Sequence, residues 1–153
     1  MRFSIITLSI ILLDQFTKNL IQRFLSEGDS VPIIKGVFHL TYFRNPGAAF
    51  NILRHQTEFF VVITIVVMGV ILYFYRQLPR EKILARTALA LQFGGAGGNL
   101  IDRVSGGYVV DFLDFRVWPV FNIADSAIVI GVLLLSWEII RWEERDEQVE
   151  DNR

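Results

Sequence analysis

From Phe59 to Tyr75 the chain carries no charged residue. A helix needs about 20 predominantly apolar residues, at about 1.5 Å each, to cross roughly 30 Å of hydrocarbon. This segment approaches that length, and Tyr73 and Tyr75 near its end suit the interfacial belt of a bilayer. Three more segments have comparable length: about Phe3 to Phe24, about Ile83 to Arg103, and about Val120 to Ile140, the last with Trp137 and Trp142 at its end. The chain has 153 residues, 52% of them hydrophobic, and gathers those residues into blocks. A soluble core of this size rarely requires such blocks. The expected fold class is an all-α membrane bundle, with four transmembrane helices in a single domain over 1–153.

The first segment mimics a secretory signal peptide, with Arg2 preceding an apolar run from Ile5 to Leu13. No small-x-small cleavage pattern follows, and Asp14, Lys18, Gln22 and Arg23 continue a helical pattern. An uncleaved first helix fits better. Between helices 1 and 2, Val37 to Phe43 reads as a strand bounded by the turn signals Lys35-Gly36 and Asn45-Pro46-Gly47. A small extracytoplasmic β cradle is expected over about 28–57. The link Val104 to Pro119 is longer and mixed. A charged C-terminal tail, about 143–153, extends into solvent. The short basic link with Arg76, Arg80 and Lys82 favours both termini in the cytoplasm.

A net charge of −1 gives no general electrostatic case for binding nucleic acid. The absence of cysteine excludes disulfides, thiolate metal sites and a cysteine nucleophile. His39 and His55 lack metal-ligand spacing, so no metal is expected.

Five polar clusters interrupt the apolar blocks: Asp14/Lys18, Asn45-Pro46-Gly47, Asn99-x-x-Asp102-Arg103, Asp111, and Asn122-x-x-Asp125. Ionisable residues inside a bilayer are costly and mark functional sites by default. Alternation of four spans brings the end of helix 1, the end of helix 3 and the start of helix 4 to one side. Lys18 then lies about 22 Å along helix 1, Asn99 about 6 Å before the end of helix 3, and Asp125 about 8 Å into helix 4. All three fall at similar depth.

Each cluster also has a plainer reading. Asp14 and Lys18 are i,i+4 in the order that favours a self-neutralising ion pair. Gly94 and Gly98 form a small-xxx-small pair suited to helix packing. Asp102 is rotated about 100° from Arg103, so it need not share a site with it; together they would mark a helix end at the interface. Asn122 suits an N-cap, and Asp125 an early helix position. Asp111 and Asp114 lie in Tyr108-Val-Val-Asp-Phe-Leu-Asp114, and the residues alone do not choose between them; a loop carboxylate is usually solvated. Two carboxylates facing each other in a desolvated site cannot both ionise easily, which yields an acid and a base at one pH. Such a pair activates water without metal or covalent intermediate. A proton or ion transporter, or a membrane assembly protein, would also employ intramembrane charges. The clustering of those charges in one half argues against a route across.

At these residues the chain resembles the signal peptidase II family, the lipoprotein signal peptidases of bacteria. Asp14-Gln-x-Thr-Lys18, Arg44-Asn45-Pro-Gly47-Ala-Ala-Phe50, Gly94-Gly95-Ala-x-Gly98-Asn99-Leu-Ile-Asp-Arg103 with Gly107-Tyr-Val-Val-Asp111-Phe, and Phe121-Asn122-Ile-Ala124-Asp125-Ser126 are similar to its motifs, in order. Gly97 departs from the pattern, where a larger apolar residue is usual. The resemblance implies that Asp111 and Asp125 are the catalytic pair of an aspartyl endopeptidase. Asn45, Gly47, Asn99, Arg103 and Asn122 would orient the substrate, and Asp14, Lys18, Gly95, Gly98 and Ala124 would support the site. It further implies a short periplasmic helix near the dyad, no cofactor, a monomer in membrane lipid, and a location in the cytoplasmic (inner) membrane with the site near its outer leaflet. The substrate would be a diacylglyceryl prolipoprotein, cleaved before its lipidated cysteine.

Overall fold

The computed structural model describes residues 2–47 and 56–151, with 143–151 as backbone only. Ala48, Ala49 and Phe50 of the Asn45 motif, and His55, lie outside the described residues. In chain order the elements are α1 (Arg2–Phe24), β1 (Ser30–Ile34), β2 (Phe38–Asn45), α2 (Thr57–Gln77), α3 (Ile83–Gly106), β3 (Val109–Asp114) and α4 (Ile123–Asp151). The fold is mostly helical with one small antiparallel sheet. Among the described residues no short helix accompanies these four. The backbone of α4 stays helical into the charged tail, as far as Asp151.

α1, α2 and the Ile123–Trp142 part of α4 are long and apolar enough to cross a membrane. α3 has the length, 24 residues, but carries Gln92, Asn99, Asp102 and Arg103 along it. Its place explains its composition. α3 packs against α1, α2, α4 and β3, so its neighbours, rather than lipid, cover the polar groups. Gly94, Gly95, Ala96, Gly97 and Gly98 are all buried. A Cβ on Gly95 would strike the Ala124 carbonyl of α4, and one on Gly98 would sit 2.6 Å from Asp14 Oδ2 of α1. The small residues therefore bring two helices onto α3, on different faces. Gly97 faces α1, where an added Cβ would meet Ile11 Cδ1 at 3.0 Å. α3 ends at Gly107, whose φ of +76° permits the left-handed cap and whose N–H donates to the Arg103 carbonyl at 3.0 Å.

The sheet order is β1-β2-β3, antiparallel throughout. The expected cradle over about 28–57 supplies only β1 and β2; the third strand comes from the link after α3. Asp111 and Asp114 are therefore strand residues. Both are buried, at 2% and 5% exposure, so the plainer reading of a solvated loop carboxylate holds for neither. Phe43 pairs with Asp111 and Asn45 with Val109. Tyr42, Val110 and Phe112 form a core with Ile21, which rests the sheet on the end of α1.

A buried charge cluster ties these parts together. The three donors of the Lys18 ammonium go to Asp14 Oδ2 at 2.8 Å, Asp102 Oδ2 at 2.9 Å and Asn99 Oδ1 at 2.9 Å. The Asp14/Lys18 pair is thus not self-contained, since a second carboxylate shares the cation. Asp102, expected only to mark a helix end, is 8% exposed and inside the cluster. Gln15 also donates to Asp102 Oδ1, at 2.8 Å.

Three stability outcomes follow. Gly95→Ala must push α4 off α3 and is expected to cost about 1–3 kcal/mol. Gly69→Ala on α2, where an added Cβ meets nothing within 4 Å, should be neutral or stabilising by up to about 1 kcal/mol. Thermal midpoints in detergent separate the two. Lys18→Met strands two buried carboxylates and is expected to cost about 3–5 kcal/mol; a midpoint equal to the parent's would show that the cluster bears no structural load.

Candidate active site

The sequence-predicted residues converge on one cavity of about 480 Å³ where β2, β3, α3 and α4 meet. Asn45, Gly47, Asn99, Arg103, Asp111 and Asp125 all line it. The opposite wall is apolar, with Val120, Phe121, Ile128 and Val129. Asp114 is not among the lining residues. Three positions from Asp111 on a strand, it projects from the other face. There it accepts Thr41 Oγ1 at 2.8 Å and the Arg116 backbone and guanidinium at 2.8 and 3.0 Å. Burial raises the Asp114 pKa, but these donors outweigh it and hold the carboxyl below the usual range. Its role is to fasten the turn at Arg116.

Asn122 performs two tasks at once. Its Oδ1 accepts the Asp125 N–H at 2.8 Å, while Asp125 Oδ2 accepts the Asn122 N–H at 3.3 Å. This is a reciprocal capping box in form, so the N-cap reading of Asn122 is correct. Its side-chain amide meanwhile donates to Asp111 Oδ1 at 2.7 Å and to Asn99 Oδ1 at 3.1 Å. Asn122 therefore touches both aspartates.

Each carboxylate oxygen of the pair has one donor. Asp111 Oδ2 accepts Asn45 Nδ2 at 2.9 Å, and Asp125 Oδ1 accepts Asn99 Nδ2 at 2.7 Å. Asn45 is the last residue of β2 rather than a loop residue. It lies diagonally across the β2–β3 ladder from Asp111, within reach for side chains on one face. Its Oδ1 accepts the Gly47 N–H at 3.0 Å, an Asx-type turn that leads the chain over the cavity. The Arg103 guanidinium reaches the Gly47 carbonyl at 3.5 Å and lies 5.2 Å from the centre of the Phe60 ring. Burial raises the Asp111 pKa first, and the nearby Asp125 charge second. The Asn45 and Asn122 donors lower it only in part, and the carboxyl is pushed up to about 7.

The support residues hold the pair through the backbone. Asp14 Oδ1 accepts the N–H of Ala124 at 2.9 Å, and Asp102 Oδ2 accepts the N–H of Val110 at 3.0 Å. Ala124 immediately precedes Asp125, and Val110 immediately precedes Asp111. The two carboxylates that share Lys18 thus each fix the peptide next to one member of the pair. Asp102 was missed as a site residue. Its position three residues after Asn99, nearly on the same helix face, was the available signal. Gln15, noted only within its motif, completes the cluster.

Known proteins share this arrangement of sequence and fold. The family model described as signal peptidase (SPase) II matches residues 6–141. The lipoprotein signal peptidase of Moorella thermoacetica is 50% identical over 140 residues, covering 92% of this chain and 93% of that protein. The lipoprotein signal peptidase of Halothermothrix orenii is 52% identical over 131 residues, covering 86% and 90%. A structure solved by the in meso method at 2.3 Å resolution, reported as a bacterial membrane enzyme, superposes with a TM-score of 0.87 at 37% identity. It covers 92% of this chain and 88% of its own. With the match running from the first turns of α1 to the last turns of the α4 span, the chain belongs to the signal peptidase II family.

Proposed function

We propose that this protein is a membrane aspartyl endopeptidase that removes the signal peptide from diacylglyceryl-modified prolipoproteins, cutting before the lipidated cysteine. The observation that carries the reading is the pair Asp111 and Asp125, lining one cavity and joined through Asn122. Membership of the family supports the substrate class. So does the cavity itself, with its polar floor at Asn99 and Arg103 and its apolar wall at Ile128 and Val129. A peptide backbone beside an acyl chain needs both surfaces.

The chemistry follows from one proton shared by two carboxyls. The ionised member takes a proton from water as the oxygen attacks the scissile carbonyl carbon. The protonated member donates to the carbonyl oxygen. Collapse of the tetrahedral species breaks the C–N bond and returns a proton to the leaving amine, freeing the cysteine's amino group. Asn45, Asn99 and Asn122 hold the carboxyls, and Arg103 with the Gly47 carbonyl offers partners for the substrate backbone.

In this reading α3 is the fourth span, its polar side turned inward. The basic link with Arg76, Arg80 and Lys82 lies in the cytoplasm of a bacterial cell, as do both termini. The site then sits near the outer leaflet of the inner membrane.

Asp111→Asn and Asp125→Asn should each lower cleavage of a purified diacylglyceryl prolipoprotein by about 10²–10⁴-fold, with insertion into the membrane intact. Near-parental shortening on a gel by either variant would remove that aspartate from the chemistry. In the parent, kcat should fall as pH rises through about 7, because the carboxyl at Asp111 is protonated below that value and loses its proton above it. The Asn45 donor lowers the Asp111 pKa, so Asn45→Ala should move this alkaline limb to higher pH. A limb that stays in place would contradict the assignment.

A further inference from the structure

At the end of the molecule remote from the two aspartates, α2 and α4 both lean on α3 and leave a crevice of about 370 Å³ between them. That volume falls within the roughly 300–1,000 Å³ of ligand sites. Its walls are Phe74 and Leu78 of the α2 end, Leu89 of α3, and Leu135, Ile139 and Trp142 of α4. These walls belong to the last turns of two helices apolar enough to span, so the crevice opens at the boundary of the hydrocarbon. Its rim is basic. The Lys82 ammonium lies 3.5 Å from the centre of the Trp142 ring. Arg76 and Arg80 are exposed nearby in sequence, while Arg86 is occupied with the Tyr75 and Leu78 carbonyls. Glu138, a turn deeper, is the one carboxylate among the lining residues, Glu81 is the one in the link, and Glu143 and Glu144 follow Trp142 in the chain. The Trp142 indole N–H, buried at this rim, has no acceptor among the described residues.

An apolar slot with the Lys82 ammonium and an unpaired donor at its mouth has the chemistry of a phospholipid with an anionic headgroup. We propose that this crevice binds one such lipid of the bilayer. One acyl chain lies against Leu89, Leu135 and Ile139, and the phosphate sits at Lys82, where the headgroup oxygens offer acceptors for the Trp142 N–H. The inference rests on the helices spanning a bilayer and not on the peptidase chemistry. A cation at a membrane surface attracts anionic lipid by a factor of about five. The anionic lipid thus holds the link between α2 and α3 against α4.

The test uses the full chain with Trp118→Phe and Trp137→Phe, which leaves Trp142 as the only tryptophan. It is reconstituted in phosphatidylcholine nanodiscs containing a minor fraction of either phosphatidylglycerol or phosphatidylcholine with brominated chains, and Trp142 fluorescence quenching is read. Brominated phosphatidylglycerol should quench more strongly at equal fraction, and Lys82→Gln should reduce that preference about fivefold. Ala85→Leu, which fills the floor of the crevice, should weaken quenching by both lipids. Equal quenching by the two headgroups, or a preference that survives Lys82→Gln, overturns the proposal. Absence of quenching together with a cross-linked dimer through this face also overturns it, by showing that a second copy is the occupant. Prolipoprotein cleavage by Lys82→Gln stays at the parental level if only the lipid site is lost.

Discussion

Everything near the two aspartates depends on one buried cation. Lys18 is 2% exposed, and a desolvated ammonium is tolerable only with its donors satisfied and its charge countered. Asp14, Asp102 and Asn99 meet both needs. Each of those partners then does something further away. Asp14 accepts the Ala124 N–H, Asp102 accepts the Val110 N–H, and Asn99 donates to Asp125. One point charge on α1 thereby sets the position of β3 and of the first turn of α4, the two elements that carry Asp111 and Asp125. The cluster has one cation for two carboxylates. Among the described residues that imbalance is offset by Gln15 and by the two backbone N–H groups, rather than by a second cation.

The helices were legible because hydrocarbon thickness imposes a length and an apolar composition that few other constraints imitate. α2, with no charge between Phe59 and Tyr75, could be read directly. β2 was legible too, flanked by turn residues. β3 was not. Val109 to Asp114 is buried on both faces, with the α1 core at Val110 and Phe112 and the cavity at Val109 and Asp111, so it lacks the period-2 alternation of a half-exposed strand. Without β3 the choice between Asp111 and Asp114 could not be made from the residues. The structure separates them by the partners each finds on its face of the strand.

Asp102 shows a second limit. A carboxylate beside an arginine at a helix end looks like an interfacial residue, and in most membrane helices that reading serves. Here α3 continues to Gly106, a turn beyond Asp102, and the sheet lies over that extra turn. Burial therefore extends past the apolar block, and helix ends inferred from hydropathy stop short of it. The reverse holds for Asn122, where the local N-cap reading was correct and incomplete. A cap employs the amide oxygen alone, and the free NH₂ remains available to Asp111 and Asn99.

That economy bears on how such a site coexists with a membrane. A carboxylate at this depth needs donors that do not themselves demand charge, and three asparagines supply them: Asn45, Asn99 and Asn122. An arginine or lysine in direct contact would favour the ionised form of a carboxyl, against the shared proton of the proposed chemistry. Neutral amides fix the carboxyl geometry without adding a charge, as the proposed acid–base chemistry requires. By hydrogen bonds among the described residues, Lys18 is linked to Asp125 through Asn99. Through that single amide one polar cluster both ties α1 to α3 and holds Asp125, the carboxylate proposed to exchange protons with Asp111.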